Sequence, residues 1–311
     1  MSSSALDFTV IVPTYNRPDP LRHCLLALAA QDYPRDRFEV LVVDDGSELS
    51  PRAVVDELRS RLPVELLSET HGGPARARNQ AARHARGRFL AFTDDDCRPE
   101  PSWLARMAAA LERAPDRLVG GRIVNALPDN PFSSASQMIA DIVYAHYNED
   151  PENARFFSSN NFAIAADVFR SLGGFDEGFT VLACEDRELC DRWRAKGGRM
   201  LYERDAVVAH AHPLGLLSFV RQHFTYGRGA VHFHRIRAQR ASGTMRNEMS
   251  FHLNVGNWLV QPFRSRTAAA ATRMAALMLL WQGANLSGFV YEKIVATGYR
   301  PPASEHDRSR Q

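Results

Sequence analysis

The sequence predicts an α/β fold with a doubly wound, mostly parallel central sheet and a C-terminal helical extension, and three observations carry that reading. Short β-branched or apolar runs at 8–12 (FTVIV), 38–43 (FEVLVV), 64–68 (VELLS) and 88–92 (RFLAF) alternate with helical periodicity. Three of them stop at turn-forming or acidic clusters, namely Pro13 to Asn16, Asp44-Asp45 and Asp94 to Asp96. In such sheets ligands gather beyond the carboxyl ends of the strands, so these clusters are expected on one rim. From about residue 214 onward the pattern is helical.

Helices are expected over 21–31, 53–62, 75–85 and 103–114, each between two of those runs or following the last. A further strand is expected at 119–124, after which PDNPFSSAS, 128–136, reads as a connection. The segment 126–213 mixes helices with short strands, among them FAIAA and MLYE, and AVVAHAHP sets His210 and His212 on one side of another. A long helix over 214–239 and two more apolar-periodic segments complete the pattern, and 301–311 is polar enough to be disordered. This divides the chain into a first α/β half, 1–125, a mixed second half, 126–213, a helical extension, 214–300, and a tail, 301–311.

With 45% hydrophobic and 24% charged residues, the 311-residue chain reads as soluble and globular. A formal net charge of +2, without an aromatic-interleaved basic stripe, argues against nucleic acid. Four cysteines without CxxC spacing suit a reducing cytoplasm, and no leader pattern follows Met1. MAALMLLWQGANLSGFV is interrupted by Gln282, Asn285 and two glycines, which favours a packed or amphipathic helix over a span. The terminal helices leave open packing on the core, a homodimer, or peripheral contact with the inner face of a membrane.

Three consecutive carboxylates, Asp94, Asp95 and Asp96, must repel one another, and a divalent cation would relieve that repulsion. Asp44, at a strand end, suits the imide N–H of a uracil-like base, with Asp45 and Ser47 free to cap the next helix. HGGPARARN is glycine followed by a helix start, favourable to an anion, but lacks the Lys and Ser/Thr of a P-loop. Asn79 reads as structural, and Arg76, Arg83 and Arg86 as solvated. Asn160 and Asn161 could hydrogen-bond a ligand or simply end a strand.

The pieces VIVPTYNR, VVDDGS, ARNQA, FTDDDC, GGFDE and CEDREL, in this order over roughly 8–212, resemble family 2 glycosyltransferases of the GT-A fold. The resemblance implies transfer of a sugar, with inversion, from a nucleotide-diphosphate donor to a hydroxyl acceptor in polysaccharide or glycoconjugate synthesis, with Mn²⁺ or Mg²⁺ as cofactor. It implies Asp94 and Asp96 as the DxD metal pair, Asp95 as a ribose contact or spacer, and His210 (or His212) completing the metal site. Pro13, Thr14, Tyr15 and Asn16 match the segment lining the nucleotide, and Arg78 a contact to diphosphate or base. Asp186 matches the catalytic base, with Glu185 beside it. Asn160 and Asn161 lie where relatives often place small or polar residues near the donor sugar and could hydrogen-bond its hydroxyls. The resemblance makes 1–125 the donor half and 126–213 the acceptor half of one domain. Arg221, Gln222, Tyr226 and Arg228 lie where relatives reach the diphosphate or acceptor. A nucleotidyltransferase and a non-catalytic sugar-nucleotide-binding protein remain the alternatives; the first usually carries a basic glycine-rich loop after its first strand, and PTYNRPDP is not one.

Overall fold

The computed structural model describes residues 6–179, 183–243, 245, 251–264 and 267–298. The chain opens with β1 (Phe8–Thr14), α1 (Pro18–Ala29), β2 (Phe38–Asp44), α2 (Arg52–Leu58), β3 (Val64–Ser68), α3 (Pro74–His84) and β4 (Phe89–Phe92). Then come β5 (Cys97–Pro99), α4 (Trp103–Arg113), β6 (Leu118–Asn125), α5 (Pro131–Tyr147), β7 (Phe162–Ala165), α6 (Ala166–Leu172), α7 (Glu185–Ala195) and β8 (Met200–His210). Three helices follow, α8 (Leu216–Arg240), α9 (Val255–Leu259) and α10 (Ala268–Gly298).

All eight strands form one sheet in the order β3-β2-β1-β4-β7-β6-β8-β5. Strands β3, β2, β1 and β4 run parallel, as do β6 and β8, while β7 is antiparallel to both β4 and β6. Every residue of β1 and β2 is buried, because helices cover both faces of a parallel sheet. One face packs against α1, α2 and α4 through residues such as Leu25, Val55 and Met107. The other packs against α3, α6 and α7 through Ala81, Phe169 and Leu189.

Two sequence expectations need correction here. The segment 128–136 is not merely a connection: Asn130 caps α5, its side chain accepting from the N–H groups of Phe132 and Ser133, with Pro131 at the first helical position. MLYE and AVVAH are not separate strands but the two ends of β8, which pairs with β6 across an irregularity at Gly121/Arg122. The tail 301–311 lies outside the described residues.

A third apolar cluster joins α5, α8, α9 and α10, including Ile139, Phe219, Trp258 and Trp281. Helices α8 and α10 nearly touch: a Cβ on Gly227 would stand 1.9 Å from the Asn285 carbonyl oxygen, and one on Gly288 1.9 Å from that of Phe224. Among the described residues no helix is long and apolar enough to cross a membrane.

Candidate active site

The ends of β1, β4, β6 and β8 and the start of α7 meet around a cavity of about 1100 Å³. The three consecutive carboxylates face it, and the structure answers their repulsion with four side-chain partners. Arg78 donates to Asp94 at 2.6 Å. Arg17 reaches Asp95 at 2.9 Å and Asp96 at 2.8 Å, and the Thr14 hydroxyl donates to Asp95 at 2.8 Å. His210 Nε2 lies 3.2 Å from Asp96 Oδ1.

That last contact follows from strand register. Cys97 pairs with His210 across β5 and β8, and the Ala211 N–H donates to the Asp96 carbonyl at 2.8 Å, so the residue before Cys97 meets the imidazole. Burial raises the Asp95 carboxyl to about 7 against the pull of Arg17. Burial also opposes the charge on Asp96, but His210 and Arg17 together outweigh it and hold its carboxyl well below the usual carboxylate range. Burial acts against the charge of His210 too, and Asp96 outweighs it, raising the imidazole.

Among the described residues, Asp96, Cys97 and His210 offer donor atoms within 4.8 Å of one another. The Cys97 thiol is pushed well up by burial and does not suit a hard cation. Asp96 and His210 do fit: adjacent corners of an octahedron with bonds of about 2.1 Å stand about 3.0 Å apart, close to their separation. The sequence also places Asp94 on the cation; here its Oδ1 is turned to Arg78 instead.

Arg78 connects this acidic loop to the second carboxylate pair. It is buried on α3, and its other nitrogen lies 3.3 Å from Glu185 at the start of α7. The residue before Glu185, Cys184, holds a left-handed φ of 73°, a sparsely populated conformation for a non-glycine residue and one that recurs at active sites. Asp186 follows with its carboxyl raised to about 7, by burial first and then by the charge of Glu185. A carboxylate at that value can take a proton near neutrality.

Of the sequence-predicted residues, Pro13, Thr14, Tyr15, Arg78, Asp94, Asp95, Asp96, Asn160, Glu185, Asp186 and His210 line the cavity. Asn160 is buried there and its Oδ1 has no partner. Three expected residues do not line it. Asn161 is wholly buried, taking the Trp103 indole N–H on its oxygen and giving both amide hydrogens to the Arg122 and Ala206 carbonyls. Asn16 closes a turn, its side chain accepting from Glu48 N–H and its own N–H donating to Ser47. Asp44 accepts from Ser47 N–H, whereas Asp45 lines the cavity.

Asp45 also corrects two expectations at once. It does not cap α2; it accepts from the N–H groups of Gly72 and Gly73, so the anion at that glycine turn is the protein's own carboxylate. Asn79 is structural, bonding the main chain of Phe175 on both sides of its amide. Gln222 and Tyr226 line the cavity, while Arg228 pairs with Glu292. Sequence reasoning missed Arg17, although a lone cation directly after a rim strand and opposite three acids was the available signal.

The family model for glycosyl transferase family 2 matches residues 9–173, more than half of the chain. The chain belongs to glycosyl transferase family 2. As a member of that family it is a glycosyltransferase. It is 27% identical over 235 residues to glycosyltransferase AglE of Haloferax volcanii, covering 74% of this chain and 75% of that protein. It is 30% identical over 231 residues to the pre-mycofactocin glycosyltransferase of Mycobacterium tuberculosis, covering 72% of this chain. It spans about half of that relative's length, 47%.

Two solved structures share the fold of this family 2 chain. Mannosyltransferase PcManGT from Pyrobaculum calidifontis, in complex with GDP-Man and Mn²⁺, superposes with a TM-score of 0.67 at 22% identity, covering 92% of this chain and 86% of that one. S. aureus TarS 1-349 in complex with UDP-GlcNAc does so with a TM-score of 0.55 at 22% identity, covering 96% and 95%. The α/β sheet with its C-terminal helices is therefore the GT-A architecture.

Proposed function

We propose that this glycosyltransferase transfers a sugar, with inversion, from a nucleotide-diphosphate donor to a hydroxyl acceptor, and that Asp186 is its general base. The observation that carries the reading is Arg78, which joins Asp94 of the acidic loop to Glu185 beside Asp186 in the wall of one cavity. Residues of the donor half and of the acceptor half thus form a single reaction centre.

Asp96 and His210 would hold a divalent cation, Mn²⁺ or Mg²⁺, with Asp94 close by; when bound, it supplies Lewis-acid stabilisation of the departing diphosphate. The likeness to PcManGT, a complex with Mn²⁺, supports that assignment. Asp186 accepts the proton of the acceptor hydroxyl as its oxygen bonds the anomeric carbon. The bond from that carbon to the diphosphate oxygen breaks, and its electron pair leaves with the nucleoside diphosphate. Glu185, tied to Arg78, positions the start of α7 and adds the negative charge that helps keep Asp186 basic.

Tyr15, exposed at the cavity edge and stacked on His71 at 4.4 Å, offers a flat surface for the base, with uridine the first to test. Thr14 and Arg17 hold Asp95, and Asn160 turns its unpartnered oxygen toward the donor sugar. The test is a thermal-shift screen of UDP, GDP and TDP with and without Mn²⁺. One diphosphate is expected to stabilise the protein selectively and only with the metal. If no diphosphate raises the melting temperature under either condition, the donor assignment is wrong.

A further inference from the structure

Away from the rim the cavity wall passes to α5 and to the C-terminal helices, and the chemistry of this second lobe differs from that of the rim. Every Asp, Glu and Arg in the cavity wall comes from residues 13–187; among the described residues, α8, α9 and α10 contribute none. Their share is aromatic and neutral. Trp281 stands 5.9 Å from Trp258 and 6.4 Å from His223, whose ring lies 4.5 Å from Phe219.

Within that wall are polar groups without partners. His223 is 2% exposed and neither ring nitrogen makes a hydrogen bond. Ser136 Oγ on α5 and Gln282 Nε2 on α10 are likewise unpartnered. Buried polar atoms are nearly always satisfied, so four orphans on three converging helices call for a ligand bearing several donors and acceptors. Burial, with a smaller contribution from His212, lowers the His223 imidazole to about 3, so it enters as one neutral donor and one acceptor. Tyr226 links the lobe to the reaction centre: its ring is 5.6 Å from His223, and its carbonyl is 4.0 Å from the sulfur of Cys184, next to Glu185.

We propose that this lobe is the acceptor subsite and that it takes an uncharged polyhydroxylated ring, a saccharide or cyclitol, whose faces stack on the aromatic wall while Ser136, His223 and Gln282 bind its hydroxyls. The assignment of the hydroxyls to an acceptor rests on the glycosyl-transfer reading above. Arg187, the cation of the cavity wall that reaches α5 and α8, is already engaged by the Tyr147 hydroxyl at 3.0 Å and the Phe233 ring at 4.8 Å. A phosphorylated acceptor therefore meets no uncommitted guanidinium among the described residues here, and a plain hydrocarbon leaves the orphans unpaired.

Tryptophan fluorescence of the full chain, with two of its four tryptophans in the lobe, is titrated with methyl β-glucoside, lactose and myo-inositol, and in parallel with glucose 1-phosphate and dodecyl phosphate. At least one neutral compound is expected to give a saturable change, at least about tenfold tighter than either phosphate. Gln282→Leu, at a half-buried position whose Oε1 also bonds His252 Nδ1, and His223→Phe are each expected to weaken it at least about tenfold. The proposal is overturned if no neutral compound saturates the signal, if a phosphate binds as tightly, or if Gln282→Leu leaves the affinity unchanged. The thermal-shift screen of UDP, GDP and TDP with Mn²⁺ on the same protein reads the donor end separately, so failure of all three overturns the transfer reading and leaves the sugar titration to judge the lobe.

Discussion

Arg78 lies 2.6 Å from Asp94 with its own side chain only 4% exposed, and its other flank faces Glu185. A buried guanidinium between two carboxylates holds both in place and keeps their charges apart. Arg78→Leu leaves two acids without compensation, and breaking such a pair costs about 3–5 kcal/mol. The urea midpoint of this variant is expected to fall accordingly, with transfer abolished. Arg78→Lys keeps the charge but loses the fork that spans both partners, so it is expected to recover most of the stability and little of the activity.

With Asp186 as the proposed base, the acid limb of the pH profile is expected to report on its carboxyl. Burial, then the charge of Glu185, raises its carboxyl to about 7, and only the ionised form accepts a proton. The value of kcat/KM is therefore expected to rise tenfold per pH unit up to about 7 and to level off above it. Glu185→Gln removes the neighbouring charge, so the limb moves to lower pH, an effect that a merely structural role would not produce. Asp186→Asn is expected to lose about 10²–10⁴ in kcat while still binding nucleoside diphosphate, measured by thermal shift.

Asp96 and His210 are joined by a contact that a proton or a cation can occupy. Asp96→Asn and His210→Ala are each expected to raise the Mn²⁺ concentration for half-activation by more than about tenfold, the loss seen for outer-shell changes alone. Because Asp96 raises the imidazole's affinity for its proton, the Mn²⁺ requirement is expected to increase as pH falls. Titrating Mn²⁺ at two pH values against transfer rate checks both statements.

Much of this site was legible because strand ends announce themselves locally: Pro13, Asp44 and Asp94 each follow an apolar run, and parallel order then sets them on one rim. What the local signal could not supply was pairing between distant segments. His210 meets Asp96 only through the β5–β8 register, over more than a hundred residues of sequence. Asn160 and Asn161 look alike in sequence, yet one faces the cavity and the other is consumed by Trp103 and two carbonyls. Asp45 similarly trades a local cap for a long-range bond to Gly72 and Gly73. In each case a tertiary partner outcompetes the short-range use of the same side chain.

The helical extension depends on backbone approach that side chains would prevent. At Gly227 an added Cβ would fall 1.9 Å from the Asn285 carbonyl oxygen, and that atom belongs to α10 and cannot swing aside. Gly227→Ala must therefore push α8 and α10 apart, and overpacking of this kind costs about 1–3 kcal/mol or more. Trp281 and Gln282 lie one turn away from Asn285 on the same helix, so the separation also widens the neutral lobe. The expected result is a lowered melting temperature together with weakened acceptor binding, while stabilisation by UDP and Mn²⁺ persists, because the rim is built from β1, β4, β8 and α7 and not from this crossing.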